Sequence, residues 1–250
     1  MKEQIQGNVR EEEVILLARN KSKRKQFQQQ NRSLITMLRP RSPISEQYRT
    51  IRTNIQFSSV DGDMQTIMVT SPGPGEGKST TTNNIAVVFA QQGKKVLLVD
   101  SDLRKPTAHY TFRIDNHAGL TNVLTRQDKL EHVIRDTDEE NLYVLPSGPI
   151  PPNPAELLGS KAMDDFLKEV KDLFDIIIFD TPPALAVTDG QVLANKTDGV
   201  VMVVSSGKTE NDAALKAKEL LMNAKAKLLG VVLNKKNRTE SPYYYYYANK

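Results

Sequence analysis

The sequence TIMVTSPGPGEGKST, residues 66–80, decides the fold. It joins a β-branched run to a loop with three glycines, after which Lys78 and Ser79 open a helical pattern. Glycine-rich backbone between a strand and a helix can turn successive N–H groups toward phosphate oxygens. Lys78 can reach the outer phosphates and Ser79 can ligate Mg²⁺. The stretch therefore predicts a phosphate-binding P-loop, although Pro72 stands where the usual pattern has its first glycine.

Short apolar runs alternate with longer amphipathic stretches along the rest of the chain. Runs such as VLLVD at 96–100 are nearly all apolar, which is typical of strands covered by helices on both faces. The alternation indicates βαβ units. The predicted strands are Thr66–Thr70, Lys95–Asp100, Leu142–Leu145, Asp175–Asp180, Gly199–Ser205 and Leu228–Leu233, and the predicted helices are Glu46–Phe57, Lys78–Gln92, Ala155–Leu173 and Asp212–Ala224. We therefore expect an α/β fold of the P-loop NTPase type, with a mostly parallel sheet flanked by helices on both faces.

Acidic residues stand at the carboxyl ends of two predicted strands. Asp180 follows the run DIIIF, in the position of a carboxylate that holds Mg²⁺ through a water. Asp100 and Asp102 are two residues apart, so they should point to the same side of the sheet. A carboxylate there can hold the metal's water molecules or take the proton from an attacking hydroxyl group. Which of the pair does which stays open.

Composition narrows the possible functions. The 250 residues include no cysteine, which excludes disulfides and thiolate metal sites. The three histidines are scattered and lack the spacing of a zinc site. No apolar run is long enough to span a membrane, and the first residues are polar, so we expect a cytoplasmic protein.

Positive charge is concentrated near the N-terminus. Residues 1–45 hold ten Lys or Arg and four Glu, and thus carry a net charge of +6 within a chain of net charge +4. Such a segment favours an anionic membrane surface or an acidic partner. It is equally compatible with a solvated, flexible leader.

Three motifs and a tyrosine run give the chain a family resemblance. PGEGKST at 74–80, VLLVDSDLRKPT at 96–107 and FDIIIFDTPP at 174–183 occur in order, and five consecutive tyrosines lie near the C-terminus. The combination resembles the bacterial tyrosine kinases of capsule and exopolysaccharide synthesis, from Ile44 to the C-terminus. In that family the motifs are Walker A, A′ and B. The resemblance implies a protein-tyrosine kinase that uses ATP and Mg²⁺ and regulates polysaccharide synthesis and export.

The resemblance also implies roles for individual residues. The expected ATP-binding residues are Gly75, Glu76, Gly77, Lys78, Ser79 and Thr80; the expected catalytic residues are Lys78, Asp100, Asp102 and Asp180; the expected metal-binding residues are Ser79, Asp102 and Asp180. Asp100 is the favoured proton acceptor from tyrosine, and Asp102 could exchange roles with it.

A second class with this fold is the ATPase switches that place division sites and partition DNA. Those proteins carry a second lysine four residues before the P-loop lysine, where this chain has Pro74. This difference argues against a switch without kinase activity, which is the alternative interpretation. The end of the last predicted strand, GVVLNK, nevertheless resembles the place where their asparagine contacts adenine, and Asn234 is expected to have that role.

The resemblance extends to a substrate tail and an assembly helix. The expected phosphorylation sites are Tyr243, Tyr244, Tyr245, Tyr246 and Tyr247, modified by a neighbouring subunit. Glu46, Arg49 and Arg52 match the family's E-x-x-R-x-x-R assembly motif. The implied partners are further copies of the chain in an octameric ring, a separate membrane-embedded activator, a cognate phosphatase and external protein substrates, but no nucleic acid. The activator would hold the kinase at the inner face of the cell membrane.

Three segments follow from these patterns. Residues 1–43 are predicted to be a basic flexible arm, residues 44–236 the kinase domain, and residues 237–250 a flexible tyrosine-rich tail.

Overall fold

The computed structural model describes residues 34–58 and 64–236. Its sheet has seven strands in the order β3-β4-β2-β5-β1-β6-β7. All neighbouring strands are parallel except β3 and β4. The strands are β1 (Thr66–Thr70), β2 (Val96–Asp100), β3 (Arg135–Asp136), β4 (Leu142–Leu145), β5 (Ile176–Asp180), β6 (Gly199–Ser205) and β7 (Leu228–Asn234).

Helices cover both faces of the sheet. They are α1 (Ile35–Leu38), α2 (Pro43–Phe57), α3 (Lys78–Ala90), α4 (Ala108–Phe112), α5 (Leu120–Leu124), α6 (Leu130–Val133), α7 (Pro154–Gly159), α8 (Lys161–Leu173), α9 (Asp189–Ala194) and α10 (Asn211–Asn223). Successive residues of a strand point to opposite faces. Accordingly, Met68 packs in the core with α8, whereas Ile67 and Val69 pack in the core with α3. The structure confirms the predicted α/β fold.

The carboxyl ends of β1, β2 and β5 meet at one edge of the sheet. In the register between β2 and β5, Asp100 lies opposite Asp180. The same edge carries the loop from β1 into α3. Ligands of open α/β sheets bind at such an edge, which is therefore the place to look for the site.

One predicted helix is wrong in its continuity. The predicted helix Ala155–Leu173 is two helices, α7 and α8, separated at Ser160. Ser160 has extended backbone with ψ 163°, and its Oγ accepts a hydrogen bond from the N–H of Met163 at 3.4 Å. The Ser160 side chain bonds to a backbone N–H group, which favours the end of one helix at this point, and Ser160 becomes the N-cap of α8.

Part of the predicted arm is packed against the domain. Thr36 in α1 is fully buried, and its N–H and Oγ1 donate to Asn84 Oδ1 at 3.0 and 2.7 Å. Leu34, Ile35 and Met37 pack against the core around α3. The packed part of the described chain therefore begins before residue 44.

Helix α2 begins three residues earlier than predicted. Ser42 is its N-cap, accepting from the N–H of Ser45 at 3.2 Å, and Pro43 occupies its first turn.

Across residues 34–58 and 64–236, no helix has both the length and the apolar character needed to cross a membrane.

Candidate active site

The P-loop curls between β1 and α3 with two glycines in left-handed backbone. Gly75 has φ +73° and Gly77 has φ +96°. A Cβ on Gly77 would lie 2.0 Å from Asn234 Nδ2, so any other residue would be strained at this φ and would have to displace the Asn234 amide. Gly77 is the N-cap of α3 and has no side chain to accept the helix's first N–H groups. Those donors remain available to a phosphate.

Lys78 lies among acidic groups at the strand ends. Its Nζ donates to Asp180 Oδ1 at 2.6 Å and to Ser79 Oγ at 3.1 Å, and it lies 3.9 Å from Asp102 Oδ2. The side chains of Lys78 and Asp180 are only 9% and 1% exposed. Little water screens this pair, so the attraction between the ammonium and the carboxylate is strong, and each of the two charges needs an opposite charge close to it.

Asp100 is fully buried beside this pair. Burial, together with the nearby Asp180, raises the pKa of Asp100 to about 7, against the opposing effects of Lys78 and two backbone hydrogen bonds. Those bonds come from the N–H groups of Thr107 and Ala108 to Oδ2, at 2.8 and 2.9 Å. They hold the carboxyl group in one orientation.

Asp102 is the more accessible member of the pair. Its side chain is 12% exposed, and Oδ1 accepts from the N–H of Lys105 at 3.0 Å. Burial raises the pKa of Asp102, with Lys78 and the Lys105 N–H acting in the opposite direction. The sequence prediction that these carboxylates meet the P-loop agrees with the placement of Asp100, Asp102, Asp180 and Lys78 in one cluster.

The cluster offers oxygen atoms suited to a hard cation. Within the described ranges, Asp100 Oδ1 and Asp180 Oδ2 are buried without a hydrogen-bond partner. Buried acceptors of this kind are uncommon and call for a ligand or an ion. Carboxylate and hydroxyl oxygens are the ligands that Mg²⁺ prefers. The residues present therefore fit a magnesium ion beside Ser79.

Comparison with known proteins agrees with this site. The family model described as an AAA domain matches residues 64–227. A tyrosine-protein kinase of Bacillus subtilis, YwqD, is 56% identical over 219 residues, covering 88% of this chain and 92% of that protein. This chain belongs to the bacterial tyrosine kinases. Such a kinase assignment is favoured over the nucleotide switch.

Solved structures place the kinase in the same family. The chimerical protein CapA2B2 has a TM-score of 0.80 and 46% identity, covering 82% of this chain and 91% of that one. The kinase domain of the Escherichia coli tyrosine kinase ETK also has a TM-score of 0.80, with 30% identity and coverages of 85% and 84%. The septum site-determining protein MinD of Pyrococcus horikoshii, complexed with Mg-ADP, is less similar, with a TM-score of 0.61, 28% identity and coverages of 71% and 72%.

Three kinase residues that the sequence did not single out contact the P-loop. Lys208 Nζ donates to Pro74 O at 3.0 Å, Lys235 Nζ donates to Gly75 O at 2.7 Å, and Thr209 Oγ1 donates to Glu76 Oε1 at 2.8 Å. They come from the segments that follow β6 and β7. Only their position after strands pointing at the P-loop could have indicated them.

Asn234 also lies against the P-loop of the kinase. Its Nδ2 donates to Glu76 O at 2.9 Å. The adenine contact expected from sequence stays a prediction, while the contact present in the structure is with the phosphate-binding loop.

An ion pair fixes the segment that carries Asp102. Arg104 Nε and Nη2 donate to the two carboxylate oxygens of Asp189 at 2.9 and 3.0 Å. Asp189 is fully buried at the start of α9. The sequence showed Arg104 only as part of the A′ motif, because its partner lies far along the chain.

The three residues of the predicted assembly motif differ in their surroundings. Arg49 Nη1 pairs with Glu46 Oε1 at 2.5 Å on the outer side of α2. Arg52 Nη1 instead donates to Val88 O at 2.8 Å, in the last turn of α3. Arg52 therefore connects α2 to the P-loop helix α3. Tyr243–Tyr247 and most of the basic arm lie outside the described residues.

Proposed function

We propose that this kinase transfers the γ-phosphoryl group of ATP, with Mg²⁺, to tyrosine hydroxyl groups, including those of its own Tyr243–Tyr247. The observation that carries the proposal is the position of Lys78. A buried ammonium group lies between Asp102 and Asp180, at the start of a helix whose first N–H groups have no side-chain cap. Cations and N–H groups around one point stabilise the charge of a transferring phosphoryl group.

The P-loop would hold the nucleotide's phosphates. The left-handed Gly75 and Gly77 allow the backbone of residues 75–80 to curl, so that its N–H groups can face the phosphates. Lys78 would exchange part of its contact with Asp180 for phosphate oxygens. Ser79, Asp102 and Asp180 would hold Mg²⁺, which supplies charge neutralisation on the phosphates when bound.

Asp102 is the better placed proton acceptor, although Asp100 was favoured from sequence. A tyrosine hydroxyl can approach Asp102, whose side chain is partly exposed, whereas Asp100 is fully buried. As the phenolic O–H gives its proton to the carboxylate, the oxygen forms a bond to the γ-phosphorus. The bond from that phosphorus to the bridging oxygen breaks, and ADP leaves with the electron pair.

Assembly and partners complete the proposal. The exposed Glu46–Arg49 pair on α2 supports a homo-oligomer, for which we propose an octameric ring in which one tail enters the neighbouring site. A separate membrane-embedded activator would hold the kinase at the inner face of the membrane. A cognate phosphatase and external protein substrates would connect it to capsule or exopolysaccharide synthesis.

The test is phosphotyrosine on purified protein incubated with Mg-ATP, mapped by mass spectrometry. We expect phosphate on Tyr243–Tyr247 in the wild type and at least 10²-fold less in Lys78→Met, since a charge that stabilises the transition state is lost. Lys236→Met removes the same charge from an exposed position and should retain wild-type labelling. Equal labelling of wild type and Lys78→Met would contradict the assigned site.

A further inference from the structure

Three consecutive carbonyl groups of the P-loop are each held by a different side chain. Lys208 binds the carbonyl of Pro74, Lys235 that of Gly75, and Asn234 that of Glu76, at 3.0, 2.7 and 2.9 Å. Lys208 lies three residues after β6, and Asn234 and Lys235 lie at the end of β7. Two neighbouring strands thus grip one loop.

Because of peptide geometry, hydrogen bonds to these carbonyl groups also fix the direction of the N–H groups that would bind phosphate. In a planar trans peptide, the C=O of one residue and the N–H of the next point in opposite directions. Fixing the carbonyls of residues 74, 75 and 76 on one side therefore fixes the N–H groups of residues 75, 76 and 77 on the other. These are N–H groups of the phosphate-binding curve.

This loop has particular need of such support. Pro74 has no N–H, and Pro72 stands where the usual loop has a glycine. Gly75 and Gly77 have positive φ and great conformational freedom, so the loop loses much entropy when it is held in one shape. Thr209 adds a fourth anchor, since its Oγ1 donates to Glu76 Oε1 and accepts from the N–H of Ser205.

We propose that Lys208, Asn234 and Lys235 form a P-loop clamp, a set of positioning residues that hold the loop's N–H groups toward the phosphates before the nucleotide binds. The inference rests on the proposed nucleotide-dependent function. It gives Asn234 a phosphate-positioning role distinct from an adenine contact. It also gives the lysines a role within one subunit, at a loop that lacks the second lysine of the nucleotide switches.

Binding measurements test the clamp. Mg-ADP would be titrated directly, and inorganic tripolyphosphate, which has no base, would be measured by displacement of a fluorescent ADP. Lys208→Met and Lys235→Met should each lower the affinity for both ligands about 3- to 10-fold, because a hydrogen bond from a charged donor to the loop is lost. Lys236→Met is the matched control: it removes the same charge from the next residue, an exposed lysine for which no hydrogen bond is found among the described residues. It should leave both affinities within about twofold.

Hydrogen exchange separates the clamp from a simple charge effect. Without nucleotide, the amides of residues 75–77 should exchange faster in Lys208→Met/Lys235→Met than in wild type, and at the wild-type rate in Lys236→Met. Weaker binding with unchanged exchange in the double variant would overturn the clamp, because only the local potential would then matter. Equal melting temperatures would show that the variants remain folded.

Asn234→Ala, a neutral change, distinguishes the two roles of Asn234. If Asn234 belongs to the clamp, its replacement by alanine should lower the affinities for tripolyphosphate and for Mg-ADP by the same factor. Loss of Mg-ADP affinity with unchanged tripolyphosphate affinity would assign Asn234 to the base and contradict its place in the clamp. Wild-type protein that binds neither ligand would overturn the proposed function itself, and the clamp with it.

Discussion

At the scale of single residues, three carboxylates face one ammonium group. Asp100, Asp102 and Asp180 all lie near Lys78, and Asp100 is fully buried, with no cation in hydrogen-bond contact among residues 34–58 and 64–236. Charged groups buried in this way destabilise the folded protein unless they are paired. Retaining three of them is understandable if they act on a magnesium-bound nucleotide, at a cost in stability.

Asp100→Asn is expected to make the protein more stable. The amide has a similar shape, can still accept from the N–H groups of Thr107 and Ala108, and carries no charge to repel Asp180. We expect a gain of about 1 kcal/mol or more in unfolding free energy, seen as ~2–4 °C in melting temperature for a domain of this size. Thermal unfolding followed by circular dichroism measures it, with exposed Asp138→Asn as the control. A lower melting temperature for Asp100→Asn would show that its charge stabilises the fold.

Asp102→Asn should affect the reaction more than binding. As the proton acceptor it contributes on the order of 10²- to 10⁴-fold to the rate of transfer. The initial rate of tail phosphorylation should fall by that factor, while the affinity for Mg-ADP should fall by a smaller factor, because Asp102 is also proposed to hold the magnesium ion. A rate within threefold of wild type would remove Asp102 from the proton transfer.

At the scale of elements, α1 and α2 pack along the P-loop helix. Thr36 of α1 bonds Asn84 and accepts from Gln91 Nε2 at 3.3 Å, while Arg52 of α2 bonds Val88 O. All three partners lie on or directly after α3. The helix that carries the predicted assembly motif is therefore hydrogen-bonded to the helix that begins at Lys78.

Arg49 and Arg52 are expected to separate into an assembly role and a folding role. Arg52→Ala removes a cation from the carboxyl end of α3 and should lower the unfolding free energy by about 1–2 kcal/mol. Arg49→Ala removes an exposed ion pair and should change stability by less than about 1 kcal/mol. Chemical denaturation and the mass in solution would be measured for both. Equal stability of the two variants would contradict a folding role for Arg52.

Much of the architecture was predictable because its signals are local. Six of the seven strands were predicted to within one residue at each end, since buried parallel strands are continuous apolar runs. The strand β3 was missed: it has two residues and depends on pairing with β4. The break at Ser160 was missed because apolar residues continue on both sides of it.

The site residues likewise divide into those with a local sequence signal and those without one. Lys78, Asp100, Asp102 and Asp180 could be predicted because each stands at the end of a recognisable strand or at the start of a helix. Lys208, Lys235 and the Arg104–Asp189 pair could not, because they act through partners 85 or more residues away. Lysines and arginines in loops carry no pattern by which such partners can be found.

At the scale of the whole molecule, the last described strand ends beside the P-loop. β7 ends at Asn234, and both Asn234 and the following Lys235 contact the P-loop. The tyrosine run begins eight residues after Lys235. A segment of that length can be presented to a site in a neighbouring subunit, which places the hydroxyl group and the γ-phosphate together.

Mixing two complementary variants tests this central claim most directly. Lys78→Met keeps the tyrosines but loses the P-loop cation, and a variant with Tyr243–Tyr247 all changed to Phe keeps the active site but has no acceptor in the tail. Neither alone should gain phosphate on its tail with Mg-ATP. Mass spectrometry of the mixture should find phosphotyrosine at residues 243–247 of the Lys78→Met subunit. Absence of phosphate in the mixture, under conditions that label the wild type, would contradict transfer between subunits, and absence in the wild type as well would contradict the kinase.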